Sequence, residues 1–281
     1  MREAVLADSA SAFDTLAAEY DLREAANPVM QLMRKQSLEI LEGTFPQGAS
    51  LLDVGCGTGT EAIWLTQRGR TVLGVDPSPQ MLDVLSTRAE AVNLQIPTRL
   101  LSAGDLITLA DEGGEDSFDG AYSSFGPLNV EPELGPSLAG LSRLVRPGGR
   151  IVLSVMNRWC IAEMVSMTVG GRGNRALRRV RSRVFVTVGA RAAEVNYPSW
   201  RELNSALRPG FRVVSLRALP LLLLPYAWPA LASHPRLFNA LRTLDGILAP
   251  RRPFAWLGDH LLVVAERRGG AVRRAVTLDA R

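Results

Sequence analysis

The chain has 281 residues, 47% hydrophobic and 21% charged, the balance of a globular protein with apolar mass for a sizeable core. Its first stretch, "MREAVLADSASAFDTLAAEYDL", carries acids and no apolar h-region, so no secretory signal is read there; Cys56 and Cys160 give neither a disulfide framework nor metal-ligand spacing, so a cytoplasmic protein without a metal is expected. The net charge of +4 rests on 31 arginines and one lysine, Lys35, a bias of coding background, so charge alone gives no ground for a nucleic-acid partner.

Apolar spacing predicts helices over 11–22 and 28–43, the second opened by Pro28. A strand, "SLLDVG", follows, then a helix over 59–68, strand "TVLGVD" (71–76), a helix over 78–91 and strand "TRLLSAGD" (98–105). Strand "FDGAYSS" (118–124), a helix over 132–145, the turn "RPGG" and strand "RIVLSVM" (150–156) continue the rhythm. Strands separated by helices of this length imply right-handed crossovers and a parallel sheet.

Beyond Met156 the alternation fails. Residues 157–196 are irregular and arginine-rich, with a short strand at "RVFVTVG"; a helix over 198–207, strand "FRVVSLRAL" (211–219), a helix near 235–248 and a last strand, "HLLVVAERR", follow. The reading is one domain, 1–268, with a helical cap (1–49), a ligand-binding core (50–156) and insertions at 157–196 and 219–257; the tail, 269–281, is expected to be disordered. In the first insertion, "GRGNRALRRVRSRV" puts six arginines between Arg172 and Arg183, either a solvated face or a grip on an acidic substrate, a leader peptide or RNA. In the second, the uncharged stretch 218–233 is too short to span a bilayer and is broken by Pro220, Pro225 and Pro229. It reads as an apolar flap: a substrate wall, a dimer contact or a membrane-surface contact.

The chemistry concentrates in "LLDVGCGTGT" (51–60), an apolar strand that runs through Asp53 into a turn holding Gly55, Gly57 and Gly59. Glycine permits positive φ and lets a ligand approach the main chain. The spacing is G-x-G-x-G, not the dinucleotide G-x-G-x-x-G, and no Walker lysine follows. Asp53 suits a ligand bearing an ammonium group better than a pyrophosphate. Asp76, 17 residues past Gly59 at the end of the second strand, can accept both hydroxyls of a ribose, and Asp105 stands where an adenine edge could be read.

The ordered set "FDTLAAEYD", "LLDVGCGTG", "VLGVDPSPQML", "AGDL", "FDGAYSSFGPLN", "LSRLVRPGGRIVLSVMN" and "YPSWRELNSAL…GFRVVSL" resembles the class I S-adenosylmethionine-dependent methyltransferases, strongly over 11–160 and in outline over 196–267. The resemblance implies a Rossmann-like α/β fold: a seven-stranded, mostly parallel sheet with an antiparallel last strand, an N-terminal helical cap and lid insertions. It implies that Gly55, Cys56, Gly57 and Gly59 pass under the methionine part of S-adenosylmethionine, with Asp53 nearby. It further implies Asp76 and Pro77 at the ribose, Met81 on the adenine, Gly104, Asp105 and Leu106 at its edge, Ser123 by its backbone, and Tyr20 closing over the cofactor.

Methyl transfer is an in-line displacement, in which alignment carries much of the barrier reduction and a base is needed only where the nucleophile must lose a proton. Asn157, Tyr197 and His234 are the candidate catalytic residues, with Tyr122, Asn129 and His260 behind them; surface and structural roles compete for both histidines. One insertion is cationic and the other apolar, so the expected acceptor is a small molecule or short peptide with an apolar part, methylated on O or N to leave S-adenosyl-L-homocysteine; C-methylation stays open. An RNA or tRNA methyltransferase using Arg172–Arg183 and a non-catalytic module that keeps S-adenosylmethionine for regulation are the alternatives, and the chain is read as a monomer or homodimer.

Overall fold

The computed structural model describes residues 11, 13, 14, 17, 21, 22, 25–181, 183–188 and 191–269. Tyr20 and the tail 270–281 lie outside them. Helix α1 (Pro28–Thr44) starts where the Asn27 side chain accepts from the N–H groups of Val29 and Met30, and it buries Val29, Met33, Ser37 and Leu41 at a spacing of four. Strand β1 (Ser50–Val54), helix α2 (Thr60–Thr66), strand β2 (Thr71–Asp76), helix α3 (Pro79–Glu90) and strand β3 (Thr98–Leu100) make the first crossovers. Strand β4 (Phe118–Ser123), helix α4 (Leu134–Leu144) and strand β5 (Val145–Met156) complete the parallel half. After the first insertion come helix α6 (Trp200–Leu207), strand β8 (Phe211–Leu219), helix α7 (Pro235–Leu248) and strand β9 (His260–Arg267). That insertion holds helix α5 (Ile161–Val169) and strands β6 (Arg183–Val188) and β7 (Arg191–Asn196).

The main sheet runs β3–β2–β1–β4–β5–β9–β8. Strands β1 to β5 pair in parallel, and β9 runs antiparallel to both β5 and β8, the arrangement expected for seven strands with an antiparallel last one. Both faces are covered, and successive strand residues serve opposite sides: Leu52, Ala121, Ile151 and Leu153 enter the core under α4 and α6, while Leu51, Tyr122 and Val152 enter the core under α1. Strand β3 stops at Leu100, short of the predicted 105, because Ser102 bonds the Asp105 carboxylate and turns the chain into a 3-10 turn, Ala103–Asp105.

The insertions depart from expectation in two ways. The short strand read at 183–189 is half of a hairpin, since β6 pairs antiparallel with β7 across six residue pairs. The second strand hides in "RAAEVN" because small and charged residues carry its alternation, with Ala193 and Val195 buried. Part of the arginine cluster is neither a solvated face nor a free grip. Arg179 is buried, with Nη2 at 2.6 Å from Glu163 and 2.6 Å from Asp259, and Arg178 reaches Glu163 at 2.7 Å. Cys160, Glu163 and Asp259 gather within 4.8 Å of one another, and the cation bonded to both carboxylates is the guanidinium of Arg179. Burial would raise the Asp259 carboxyl, but Arg179 and His260 outweigh it and hold it well below the usual range. Burial, then the Asp259 charge, pushes the Cys160 thiol up to about 12.

The first half of the apolar stretch, 218–224, is mostly buried: Leu219, Leu221, Leu223 and Leu224 pack inward, and the Asp245 carboxylate accepts from the N–H groups of Leu221 and Leu222. Arg179 pins the first insertion to the sheet edge, so Arg179→Ala, which removes the buried cation shared by Glu163 and Asp259, should cost about 3–5 kcal/mol in urea unfolding. Arg172→Ala, at an exposed site, should stay within about 0.5 kcal/mol. Equal losses from the two would contradict this anchoring.

Candidate active site

A cleft of about 1160 Å³, counted to its open mouth, lies at the C-terminal ends of β1, β2, β4 and β5, where open α/β sheets place their ligands. The turn after β1 is its floor. Gly55 and Cys56 donate their backbone N–H groups to the Val75 carbonyl at 2.8 and 3.0 Å, and Gly57 donates to Asp76 Oδ2 at 2.9 Å. The three glycines all have positive φ, yet each leaves its side chain out for its own reason. A Cβ on Gly55 would run into Pro127, and one on Gly59 into Leu85. Only Gly57, at φ +51, has nothing within 4 Å of that position, so a ligand can lie against the main chain there.

Of the predicted cofactor residues, Asp53, Gly55, Cys56, Gly57, Asp76, Pro77 and Met81 line the cleft together. Gly59, Gly104, Asp105, Leu106 and Ser123 are not in its lining. Leu106 is fully buried in the core, and Ser123 is buried one residue before Ser124, which does line the cleft. Tyr20 lies outside the described residues, but the same N-terminal segment reaches the site. Phe13 lines the cleft, Asp14 accepts from the Ser78 hydroxyl at 2.5 Å, and Asp21 accepts from the Thr58 hydroxyl at 2.8 Å.

The floor is acidic. Asp53, Glu61 and Asp76 share the cleft, and Arg34 of α1 pairs with Glu61 while its guanidinium sits 4.3 Å from the centre of the Phe125 ring. Burial, then the Glu61 charge, raises the Asp53 carboxyl well above its usual range, and Asp53 Oδ2 has no hydrogen-bond partner among the described residues. Burial lifts Asp76 to about 6 against the pull of its bonds from Ser78 and Gly57. Each Asp76 oxygen takes one backbone N–H and keeps a lone pair for a ligand. Buried carboxylates with this much mutual repulsion favour a cationic ligand, and the open backbone at Gly57 leaves it room. The donor sulfonium and ammonium of S-adenosylmethionine fit that floor.

The proposed catalytic side chains are elsewhere. Asn157 is fully buried, and its Nδ2 donates to the carbonyls of Trp159, Trp256 and Gly258 at 2.8–3.0 Å, clamping the approach to β9 onto the end of β5. Tyr197 is buried against the Arg179 guanidinium, 5.0 Å from its ring centre. His234 is exposed at the start of α7, with Nδ1 2.9 Å from the Ser233 hydroxyl. Asn129 is spent on the edge of β5, accepting from Met156 N–H at 2.8 Å and donating to the carbonyls of Met156 and Asn196. Tyr122 is buried beside Asp53, its register partner on β1, and His260 is buried at the start of β9. None of these six lines the cleft.

The apolar part of the lining is instead made of Phe125, Val130, Met156, Val186 and Val195, with the buried carboxylate of Glu131 lining the same cleft. Val186 and Val195 come from the hairpin, whereas no described residue of 219–257 lines the cleft. Arg34, Glu61 and Glu131 escaped the sequence reading, since an acid or arginine one residue from an apolar position carries no motif. Phe13 lay within a quoted motif but was assigned no role.

Residues 51–149 match the methyltransferase domain family. Demethylmenaquinone methyltransferase of Beutenbergia cavernae is 37% identical over 52% of this chain and 57% of its own. The ubiquinone biosynthesis O-methyltransferase of Alkalilimnicola ehrlichii is 31% identical over 40% of this chain and 43% of its own. The chain thus spans about half the length of the curated relatives it matches. Among solved structures, the Burkholderia thailandensis 1,6-didemethyltoxoflavin-N1-methyltransferase with bound 1,6-didemethyltoxoflavin and S-adenosylhomocysteine shares the fold, at a TM-score of 0.58, 20% identity and coverage of 96% of this chain and 91% of that one. Sheet order, glycine turn and family match converge: residues 51–149 form a methyltransferase domain of the class I, S-adenosylmethionine-dependent type.

Proposed function

We propose that this protein methylates a hydroxyl or amine on a small, largely apolar molecule in a biosynthetic pathway. The observation that carries the reading is the apolar wall of Phe125, Val130, Met156, Val186 and Val195 in the same cleft as the glycine turn, with the carboxylate of Glu131 also lining it. Relatives named for ubiquinone biosynthesis O-methylation and toxoflavin N1-methylation support a small-molecule acceptor. The first insertion serves as the acceptor lid, because its hairpin supplies Val186 and Val195. Buried, unpaired thiols at Cys56 and Cys160 suit the reducing cytoplasm.

In this reading Asp76 accepts the ribose hydroxyls, Gly57 lets the methionine part lie on its backbone, Asp53 faces the cationic end and Met81 packs on the adenine. When bound, S-adenosylmethionine supplies a methyl group on a positively charged sulfur. The apolar wall excludes water and aligns the acceptor, and Glu131 accepts the hydrogen bond of the nucleophile and holds its proton. A carboxylate suits a hydroxyl or a neutral amine alike, since each offers it a hydrogen and keeps a lone pair for the methyl group, while S-adenosylhomocysteine leaves with the electrons of the broken carbon–sulfur bond.

Three measurements test this. Purified protein with methyl-labelled cofactor should transfer label to apolar phenols, quinols or amines; cofactor binding without turnover on any of them would point to a non-catalytic module. Glu131→Gln should lower kcat about a hundredfold or more while leaving S-adenosylhomocysteine affinity unchanged, and a kcat within threefold of wild type would remove Glu131 from the reaction. Asp76→Ala should abolish cofactor binding in calorimetry. Since Asp76 titrates near 6 and only the ionised form accepts from both ribose hydroxyls, wild-type affinity should rise about tenfold from about pH 5 to 7. A flat profile would assign the ribose elsewhere.

A further inference from the structure

Helix α5, in the first insertion, has its polarity reversed. Its inward residue is Glu163, 1% exposed and bonded to Arg178 and Arg179, while Ile161, Val165 and Val169 face solvent, Val169 at 84%. Surface helices of water-soluble domains do the opposite, burying the apolar stripe. The spacing of four puts the three residues on one stripe. Trp159 stands exposed just before the helix, and the Tyr226 hydroxyl, 2.6 Å from that of Ser166, brings a further exposed ring against it.

The exposed charge of the segment that carries this stripe has one sign. The sequence holds no acid between Glu163 and Glu194, and Glu163 is sealed inside. Arg172, Arg175 and Arg181 are exposed in the segment that follows the helix. An apolar stripe beside exposed arginines with no exposed carboxylate among them matches a surface that is anionic outside and hydrocarbon beneath. An RNA would satisfy the arginines but leave Val165 and Val169 in water.

We propose that this face seats the protein on an anionic phospholipid bilayer. Among the described residues no helix is long and apolar enough to cross a membrane, so the contact is peripheral. It has a consequence for the cleft: on β6, Phe185 is 74% exposed while its neighbour Val186 lines the cleft, as alternation along a strand requires. A single strand therefore has one side in the acceptor wall and the other in solvent.

The test is co-sedimentation of the full chain with vesicles of phosphatidylcholine mixed with phosphatidylglycerol, against vesicles of phosphatidylcholine alone. The mixed vesicles should bind at least about tenfold more tightly, and added salt should weaken that binding. Val165→Asp with Val169→Asp, and separately Arg172→Glu with Arg175→Glu, should each reduce it about tenfold or more with S-adenosylhomocysteine affinity unchanged. The proposal is overturned by absence of binding to the mixed vesicles, by double variants that bind like the wild type, or by a synthetic RNA oligonucleotide that binds as tightly and ignores Val165→Asp with Val169→Asp. Because vesicle binding needs no acceptor, its outcome is separate from that of the methyl-transfer assay.

Discussion

Everything at the site depends on how the turn after β1 is held against the end of β2. Two backbone bonds to the Val75 carbonyl and one from Gly57 to the Asp76 carboxylate fix a tight, left-handed path within 2.8–3.0 Å contacts. Side chains would break that path at each glycine, but for different reasons. Gly55 admits Pro127 from the loop after β4, Gly59 admits Leu85 of α3, and Gly57 alone opens toward the cleft. Two of the three glycines thus serve the packing of the protein itself, and one leaves its backbone open to the cleft. The same bond that shapes the turn presets the carboxylate, so Asp76 clamps the backbone while it lines the cleft.

At the other side of the cleft, polar residues act as structure and apolar ones as site. Asn129 and Asn157 replace backbone partners at the edge of β5, and Arg179 ties Glu163 and Asp259 together behind them. Each of these groups is expensive to bury and is bonded where it lies, although Asn157 Oδ1 and Arg179 Nε find no hydrogen-bond partner among the described residues. Their combined effect is to hold the first insertion over the sheet edge, so that its hairpin presents Val186 and Val195 to the cleft. The acidic floor and apolar wall then divide the work: one end suits a cation, the other excludes water.

The strand and helix rhythm was readable because parallel strands buried on both faces leave near-continuous apolar runs, and their order follows from crossover rules. The glycine turn with Asp53, Asp76 and Met81 was readable for a related reason: these residues sit at fixed offsets from strand ends. What could not be read was whether a polar residue is already engaged. Asn157 and Tyr197 stand near the expected edge, but the carbonyls that occupy Asn157 are as much as 101 residues away in sequence, at Gly258. Arg179 likewise finds Asp259 across 80 residues, so a stretch that looks like a basic tract contains an internal ion pair. Strand β7 and Glu131 left no periodic trace, and only the fold brings them to the cleft.

The proposed chemistry turns on one arrangement: a donor held over Gly57 facing an acceptor wall built by the hairpin. A crystal structure with S-adenosylhomocysteine bound tests it most directly. The ribose hydroxyls should lie on Asp76, the homocysteine portion along the Gly57 backbone, and the sulfur toward Val186, Val195 and Glu131. A ribose bound away from Asp76, or a sulfur turned from the hairpin, would contradict it.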